Sequence, residues 1–349
     1  MTRISVIIPV WNAEATIGST LKSLQSQTFQ DWECICVDDG CTDGTREILH
    51  GYLNRFHADG RKMRILSQNH FGVAVARNRG MEAAEGQYIF FLDSDDVLPP
   101  EALMKLNALA EKSDADVVWG RCLTVLSDEV EKYTVAHNGV EQDRTWIGDE
   151  WLAQLDACFD NSDMHDGDSG FMSVPAYICN KLLRRACVGD IRFEDRLRRG
   201  EDSVFFAQVF SKVRKVAATD VCTYLIRKRE DSLSRQASAD FFNEYAMAAC
   251  RLAEVAEARS SMLYNYAHRD KFWWFYIKMI REGLLTGCTD IESDLRNAFC
   301  EGCRSMYDAW RRYLSLSGKI KLLAGSWGWF PVLKWYYGFR LGGGVKNAG

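Results

Sequence analysis

The chain has 349 residues, 47% of them hydrophobic and 26% charged, which is long enough for one large domain or two smaller ones. Its net charge of −5 at pH 7 argues against a protein that binds nucleic acid through bulk positive charge. No apolar run reaches about 18 residues, so we expect no transmembrane helix.

The twelve cysteines are scattered along the chain. Cys300 and Cys303 have the spacing of half a metal knuckle, but no second ligand pair follows them. We therefore expect small apolar side chains in a reducing cytoplasm. The N-terminus leads directly into a strand-like stretch, and we expect no signal peptide and a cytoplasmic location.

The first 120 residues alternate apolar, β-branched stretches with helical periodicity. The predicted strands cover residues 4–10, 32–37, 63–66, 88–92 and 116–119. Between them, apolar residues at helical spacing predict helices, among them residues 72–84 and 100–112. This alternation predicts an α/β fold: a Rossmann-like, doubly wound and mainly parallel sheet.

Acidic residues follow two of these strands. Asp39 ends the second strand, and Asp93, Asp95 and Asp96 follow residues 88–92. The carboxyl ends of parallel strands face one crevice, where such sheets bind ligands. Several carboxylates at one place are most simply kept ionised by a cation, and Mg²⁺ or Mn²⁺ commonly bridges carboxylates to a diphosphate. The alternative is a solvated acidic turn.

Five segments in this half of the chain resemble, in order and spacing, a family 2 glycosyltransferase with the GT-A fold. They are residues 7–12, 23–28, 37–45, 72–80 and 92–96. The resemblance is strong over residues 1–120 and moderate over residues 175–235. One departure is Cys41, where the family usually has serine.

The resemblance implies roles in binding a nucleotide-sugar donor. The backbone around Pro9 and Trp11 would line the base, and Asp39 would accept a hydrogen bond from it. Arg77 would be a cation near the nucleotide and diphosphate. The alternatives are a helix cap for Asp39 and a surface salt bridge for Arg77.

The same resemblance assigns the acidic turn. Asp93 would lie near the ribose as the first acid of the DxD motif, and Asp95 would ligate Mn²⁺ or Mg²⁺. Asp96 would be either a third member or a plain turn residue.

The pattern weakens between residues 123 and 170. Residues 146–159 are predicted to form one helix. Residues 160–170 carry four aspartates without the residue order of an EF-hand, and predict either an acceptor-side loop or a plain surface loop.

A second block resembles the family from Asn180-Lys181-Leu182 to Gly200-Glu201-Asp202. The resemblance implies that Asp202 is the general base and that Glu201 orients the acceptor or the loop. The alternative is a helix start, because acids in a first helical turn are favoured by the helix dipole.

Two short strands are predicted at residues 216–218 and 221–226. The basic stretch that follows, with Arg227 and Arg229, is similar to the family segment that closes over the diphosphate. Its alternative is a solvated charged loop.

Helices are predicted over residues 241–259, 264–281 and 291–314. Residues 319–340 combine Trp and Tyr with Lys and Arg, a composition typical of a peripheral membrane segment. It equally suits a helix packed on the catalytic domain or in a dimer.

Together these patterns predict a GT-A catalytic domain over residues 1–238 and a helical C-terminal region over residues 239–349. Residues 1–120 would bind the nucleotide sugar, and residues 121–238 would hold the acceptor and the base.

The function implied is an inverting transfer from a nucleotide-diphosphate sugar, with UDP favoured, to a hydroxyl of a glycan or lipid-linked glycan. The process would be cell-envelope, lipopolysaccharide or capsular polysaccharide synthesis. Two alternatives stay open. A nucleotidyltransferase would want a glycine-rich phosphate loop after the first strand, and a membrane-associated scaffold would not need the acids.

Overall fold

The computed structural model describes residues 2–126, 142–148, 150, 178–228, 239–259, 293–312 and 314–327. The strands are β1 (Ile4–Val10), β2 (Trp32–Asp39), β3 (Lys62–Gln68), β4 (Tyr88–Phe91), β5 (Val117–Leu126), β6 (Asp143–Ile147), β7 (Lys181–Arg184) and β8 (Lys215–Lys228). The helices are α1 (Ile17–Gln25), α2 (Thr45–Ala58), α3 (Val73–Ala83), α4 (Ala102–Ser113), α5 (Arg185–Val188), α6 (Glu201–Phe210), α7 (Ala239–Arg259), α8 (Ser293–Trp310) and α9 (Leu316–Ser326).

Within the described residues the strands form one sheet in the order β3-β2-β1-β4-β7-β5-β8-β6. The pairs β3-β2, β2-β1 and β1-β4 are parallel, whereas β7 is antiparallel to both β4 and β5. Six of the eight strands therefore run in one direction, and only β6 and β7 run in the other. This topology confirms the predicted α/β, mainly parallel sheet.

The central strands of the sheet are buried from solvent. Every residue of β1, β2 and β4 is buried, as expected for strands covered by helices on both faces. The apolar runs that predicted these strands therefore form the core directly beneath the candidate site.

The prediction of two strands between residues 216 and 226 is wrong, because β8 is continuous. It pairs with β5 through a register shift beside Gly120, where a Cβ atom would lie 2.3 Å from Thr223 Oγ1. Asn180 fills the same junction, donating to the Gly120 carbonyl and accepting from Thr223 Oγ1. The polar residues Thr219 and Asp220 thus mark a bulge, not a break.

The helix predicted for residues 146–159 is also wrong at its start. Trp146 lies in β6, which is antiparallel to β8, and its ring stacks on Trp119 with centroids 6.0 Å apart. This segment is a strand because it pairs with β8 and packs on Trp119. The spacing of its own apolar residues could not reveal these partners. Residues 151–159 and the loop at 160–170 lie outside the described residues.

The described chain divides into two compact units, Met1–Arg198 with Gln208–Glu230, and Arg199–Ala207 with Asp231–Gly349. In the second unit α7 packs on α8, where Trp310 Nε1 donates to the Ala249 carbonyl at 2.7 Å. Helical structure is therefore confirmed for the described C-terminal part. The helix predicted at 264–281 lies outside the described residues, and no described helix is long and apolar enough to cross a bilayer.

Candidate active site

Three neighbouring parallel strands bring the predicted donor-site residues to one edge of the sheet. In β1, Pro9 is buried opposite Val37, and Trp11 follows the strand. Asp39 ends β2 on one side of β1, and Asp93 comes two residues after β4 on the other. The structure therefore places the predicted acids on either side of Trp11.

Asp39 is 2% exposed, and its carboxylate is surrounded by donors from the loop after β3. Oδ1 accepts from Gln68 Nε2 at 2.7 Å and from the amide of Phe71 at 2.9 Å. Oδ2 accepts from the amide of Gly72 at 2.9 Å and lies 2.8 Å from His70 Nδ1. A carboxylate has about four acceptor positions, so these four groups fill it.

A ring pair covers this carboxylate. Trp11 and His70 stack with centroids 4.4 Å apart and ring planes 17° apart, and both side chains are about half exposed. At this separation the rings are in direct contact, so a planar base cannot lie between them unless His70 moves. Sequence reasoning identified Trp11 and Asp39 but missed Gln68 and His70, which are polar loop residues without a periodic pattern.

The turn after β2 is fixed by Asp38. Its Oδ1 accepts from the amide of Cys41 at 2.8 Å and its Oδ2 from Arg46 Nε at 2.7 Å. Burial opposes ionisation of Asp38, but these hydrogen bonds outweigh it and hold the pKa of the carboxyl below its usual value. Burial raises the pKa of the Cys41 thiol to about 11, so this thiol is neutral at pH 7.

Gly40 is required by the same turn. It has a φ of +78°, and a Cβ there would lie 2.8 Å from the His70 amide nitrogen. The close approach explains how the β2 turn and the loop carrying His70 come together around Asp39.

Arg77, on α3, meets Asp93. Its Nη2 lies 3.1 Å from Asp93 Oδ1, and its side chain is 7% exposed whereas that of Asp93 is 34% exposed. The guanidinium also lies over the Phe193 ring, 5.3 Å from the centroid. This burial argues against the alternative of a surface salt bridge for Arg77.

The acidic turn is tied to β8 and α1. The Asp93 amide donates to Tyr224 Oη at 3.1 Å, and Thr20 Oγ1 donates to the Ser94 carbonyl at 3.0 Å. Asp96 is 5% exposed, and its Oδ1 accepts from the amide of Arg227 at 2.9 Å. Burial, with the charges of Asp93 and Asp95, raises the pKa of Asp96 well above its usual value.

The Arg227 side chain completes this tie. Its Nε donates to the Asp95 carbonyl at 2.8 Å, and its Nη2 donates to Ser19 Oγ at 2.6 Å. These contacts brace the turn, which is a role that sequence reasoning missed. The predicted diphosphate contact of Arg227 stays a prediction, and Arg229 lies outside the described residues.

The donor set of the turn suits a hard divalent cation. Asp95 is part-exposed beside Asp93, and carboxylate oxygens are the ligands that Mg²⁺ and Mn²⁺ prefer. Within the described part of the chain, no three potential ligand side chains converge on one point. Mg²⁺ sites with one or two carboxylates are commonly completed by substrate phosphates, and Asp95 fits such a site.

Glu201 and Asp202 lie in the second unit, at the start of α6. Asp202 is part-exposed, and its Oδ1 accepts from the Ser203 amide at 2.7 Å. Burial raises the pKa of Tyr245 on α7 to about 12, Arg199 acts in the opposite direction, and the charges of Asp202 and Glu201 add to the rise. The predicted base and its neighbour therefore share surroundings built by α7.

Arg199 links two residues of α7, Glu244 and Tyr245, by hydrogen bonds. Its Nε donates to Glu244 Oε2 at 3.0 Å, and it hydrogen-bonds the Tyr245 hydroxyl. Sequence reasoning missed Arg199, Glu244 and Tyr245. The sequence signal available was only that basic Arg199 directly precedes Gly200-Glu201-Asp202.

Comparison with known proteins shows which family the chain resembles in sequence. Residues 5–172 match the model described as glycosyl transferase family 2. The chain is 30% identical over 266 residues to the uncharacterized glycosyltransferase EpsJ of Bacillus subtilis, covering 71% of this chain and 72% of that protein. It is 27% identical over 273 residues to a poly(ribitol-phosphate) beta-glucosyltransferase of Bacillus spizizenii, covering 75% of this chain but 39% of that protein.

Among solved structures, S. aureus TarS in complex with UDP-GlcNAc is similar in fold. The TM-score is 0.68 at 20% identity, and the match covers 97% of this chain and 92% of that chain. An identity this low supports the GT-A fold alone. The family match and the identity to EpsJ carry the assignment further: the chain belongs to glycosyltransferase family 2 and is a transferase.

Proposed function

We propose that this protein transfers a sugar from a UDP-sugar to a hydroxyl of a bacterial cell-envelope glycan, lipopolysaccharide or capsular polysaccharide, with inversion at the anomeric carbon. The observation that carries the proposal is the edge where Asp39, Trp11 and the Asp93–Asp96 turn meet on three adjacent strands. Open α/β sheets bind ligands at this edge, which supports a base-binding carboxylate at Asp39 and a diphosphate-side carboxylate at the turn.

The base would occupy the surface of Trp11 beside Pro9, with Asp39 as its hydrogen-bond acceptor. Because four groups fill the acceptor positions of Asp39, a base can reach it only if one of the side chains leaves. Two of these groups are side chains, those of Gln68 and His70, so one of the two must move away from Asp39 when the base binds.

The ribose and diphosphate would lie along the acidic turn. Arg77 holds Asp93 at 3.1 Å and would fix its orientation toward the ribose. Asp95 would hold Mn²⁺ or Mg²⁺, which when bound supplies Lewis-acid stabilisation of the departing diphosphate. Arg227 braces the turn from β8, and Arg229 would contact the diphosphate.

Asp202 would remove the proton from the attacking acceptor hydroxyl, and Glu201 would orient the acceptor. A carboxylate can do so only within hydrogen-bond reach of that hydroxyl. Attack on the face opposite the diphosphate inverts the anomeric carbon in one step. An α-linked donor would then give a β-linked product.

The acceptor class is supported by the names of the relatives. One acts on poly(ribitol-phosphate), and a structurally similar protein was crystallised with UDP-GlcNAc. A cytoplasmic location, an oligomeric assembly and the domain boundary at residue 238 remain predictions. Membrane contact through residues 319–340 is a separate proposal, because it rests on the C-terminal helices and not on the donor site.

The donor site is tested by thermal shift with nucleoside diphosphates, with Mn²⁺ or with EDTA. A ligand that binds only the folded state raises Tm. We expect UDP with Mn²⁺ to raise Tm, and EDTA or Asp95→Asn to remove the shift. Asp190→Asn, at an exposed aspartate in the same unit, should leave it intact. Absence of a shift with every nucleotide would overturn the donor site, and a shift insensitive to EDTA would overturn the metal.

The base is tested separately by sugar transfer. Asp202→Asn should keep the UDP shift and lower the transfer rate by about a hundredfold or more. The matched control is Asp308→Asn, at an exposed aspartate of α8. Wild-type transfer by Asp202→Asn would show that another group removes the proton.

A further inference from the structure

Helix α9 has an apolar face that is open to solvent. Leu316 is 75% exposed, Ile320 57% and Trp327 60%, and half-buried Leu323 continues the same line. These residues recur at intervals of four, three and four, which places them in one stripe along the helix. On the opposite side Gly318, Leu322 and Gly325 are buried, so one face anchors the helix while the stripe remains outside.

This exposure is concentrated. In the described part of the chain, eight large hydrophobic side chains are exposed, and three of them fall within the twelve residues from 316 to 327. Single exposed apolar residues are normal, whereas a contiguous group marks an interaction site.

The charge of this region has the opposite sign to the rest of the chain. The 39 residues from 311 to 349 contain seven Lys or Arg, eight aromatic residues and no Asp or Glu, although the whole chain has a net charge of −5. Lys319 and Lys321 lie on α9 itself. One of the basic residues, Arg312, pairs with Glu257 at 3.0 Å.

From the stripe and the charge we infer that α9 docks the protein on an anionic lipid bilayer. An apolar stripe inserts among acyl chains while Lys and Arg contact acidic headgroups, and Trp and Tyr prefer that depth. Basic residues near such a surface each strengthen binding by about fivefold.

A lipid surface fits better than a second protein. The stripe is one side chain wide, and a stable protein interface buries about 1,200 Å² or more in total. An amphipathic helix, by contrast, needs only a narrow apolar face and a basic flank to lie in a headgroup region. The inference is independent of the donor and the base proposed above.

The test is sedimentation of the full-length protein with vesicles. Vesicles of phosphatidylcholine alone are compared with vesicles that also contain phosphatidylglycerol, at low and at high salt. We expect binding to the anionic vesicles at least about tenfold stronger than to neutral ones, and weakened by salt because screening reduces the attraction.

Two variants separate the apolar and the charged contributions. Replacing Leu316 and Ile320 together by serine should abolish sedimentation, while Tm and UDP binding stay unchanged because both side chains are mostly exposed. Lys319→Glu with Lys321→Glu should weaken binding to anionic vesicles by at least about twentyfold. The matched controls are Met247→Ser on α7 and Lys112→Glu on α4, both at exposed side chains.

Three results would overturn the inference. They are no binding to either vesicle, equal binding to both, and a dimer in light scattering that the double serine variant dissociates. The last would assign the stripe to an interface between two copies of the chain.

Discussion

His70 occupies the position in which the base of the proposed donor would contact Asp39. It sits 2.8 Å from the Asp39 carboxylate and stacks on Trp11, the two groups proposed to receive the base. A base that reaches Asp39 by displacing His70 must first break a hydrogen bond to a charged group.

We therefore predict that His70→Ala binds UDP about tenfold more tightly, since breaking one such hydrogen bond corresponds to about 1.5 kcal/mol. Titration calorimetry with Mn²⁺ present measures the difference. His50→Ala, at an exposed histidine of α2, is the matched control. Weaker UDP binding by His70→Ala would mean instead that the imidazole itself contacts the base.

Asp38 makes a different kind of contribution, one to stability that depends on pH. Its folded-state pKa is lower than the unfolded value of about 3.9. The ionised carboxylate therefore stabilises the fold above about pH 4, and this stabilisation is lost as the pH falls through the folded-state pKa.

Asp38→Asn should accordingly lower the free energy of unfolding by about 1–2 kcal/mol at pH 7. The difference from wild type should shrink below about pH 4, because wild type then loses the same contribution. Urea unfolding from pH 7 down to about pH 3 measures it, with Asp190→Asn as control. A difference that is constant with pH would exclude the ionised carboxylate as the cause.

The acids of the candidate site were predictable from sequence, whereas their immediate partners were not. Asp39 and Asp93 could be found because they follow apolar strands within segments that resemble the family. Gln68 contacts Asp39 across 29 residues of chain, and Arg227 contacts Asp95 across 132. Contacts at such separations follow from the packing of elements, which no local period records.

At the level of elements, β8 acts as a brace for the acidic turn. Tyr224 and Arg227 hold the backbone of Asp93 and Asp95, and the Arg227 amide holds Asp96. Because the brace touches the turn's backbone, it fixes the backbone from which the Asp95 carboxylate extends.

Arg227→Ala is expected to raise the Mn²⁺ concentration for half-maximal transfer by about tenfold or more, the usual effect of removing a partner that orients a metal ligand. Arg227→Lys should restore part of the loss, because a lysine can still reach the Asp95 carbonyl. Arg196→Ala, at an exposed arginine, is the control. An unchanged Mn²⁺ requirement with poorer donor KM would favour direct contact with the diphosphate.

Helix α7 supports the proposed base in a comparable way. Arg199 connects Glu244 with the Tyr245 hydroxyl, and Asp202 lies close enough to influence the same hydroxyl. Tyr245→Phe removes one hydrogen bond from Arg199 and leaves the packed ring in place.

We predict that Tyr245→Phe lowers kcat by about tenfold, the effect of losing one hydrogen bond to a charged group, with donor KM unchanged. Steady-state kinetics over a range of pH measures both constants. Tyr307→Phe on α8 is the matched control. A fall in Tm without any change in kcat would make Tyr245 a packing residue only.

The strands that were predicted correctly are those whose own residues form an apolar run. The strands β1, β2 and β4 are continuous apolar runs, and their predicted bounds agree with the structure to within two residues. Strand β6 carries no such run, because its residues are mostly exposed and are held by pairing to β8. Its existence depends on a partner about 70 residues further along the chain.

At the level of the whole molecule, each of the two compact units is built from separate segments of the chain, and the predicted domain boundary at residue 238 stays a prediction. The segment Arg199–Ala207, which carries Glu201 and Asp202, groups with the C-terminal helices. The C-terminal region therefore contributes to the surroundings of the proposed base, because Glu244 and Tyr245 belong to it.

Truncation after residue 238 should therefore destabilise the chain. It removes Glu244 and Tyr245, and it removes the unit to which buried Val204, Phe205 and Phe206 belong. Exposing three such side chains would cost about 5 kcal/mol, similar to the whole stability of a small domain, about 5–15 kcal/mol.

We expect residues 1–238 to show a Tm at least about 10 °C below that of the full chain, given about 2–4 °C per kcal/mol for domains of this size. Calorimetry of both chains measures the difference. Truncation after residue 327, which keeps α7, α8 and α9, is the control. An equal Tm with full UDP binding for residues 1–238 would support the predicted boundary, because the sheet would then be stable without the C-terminal helices.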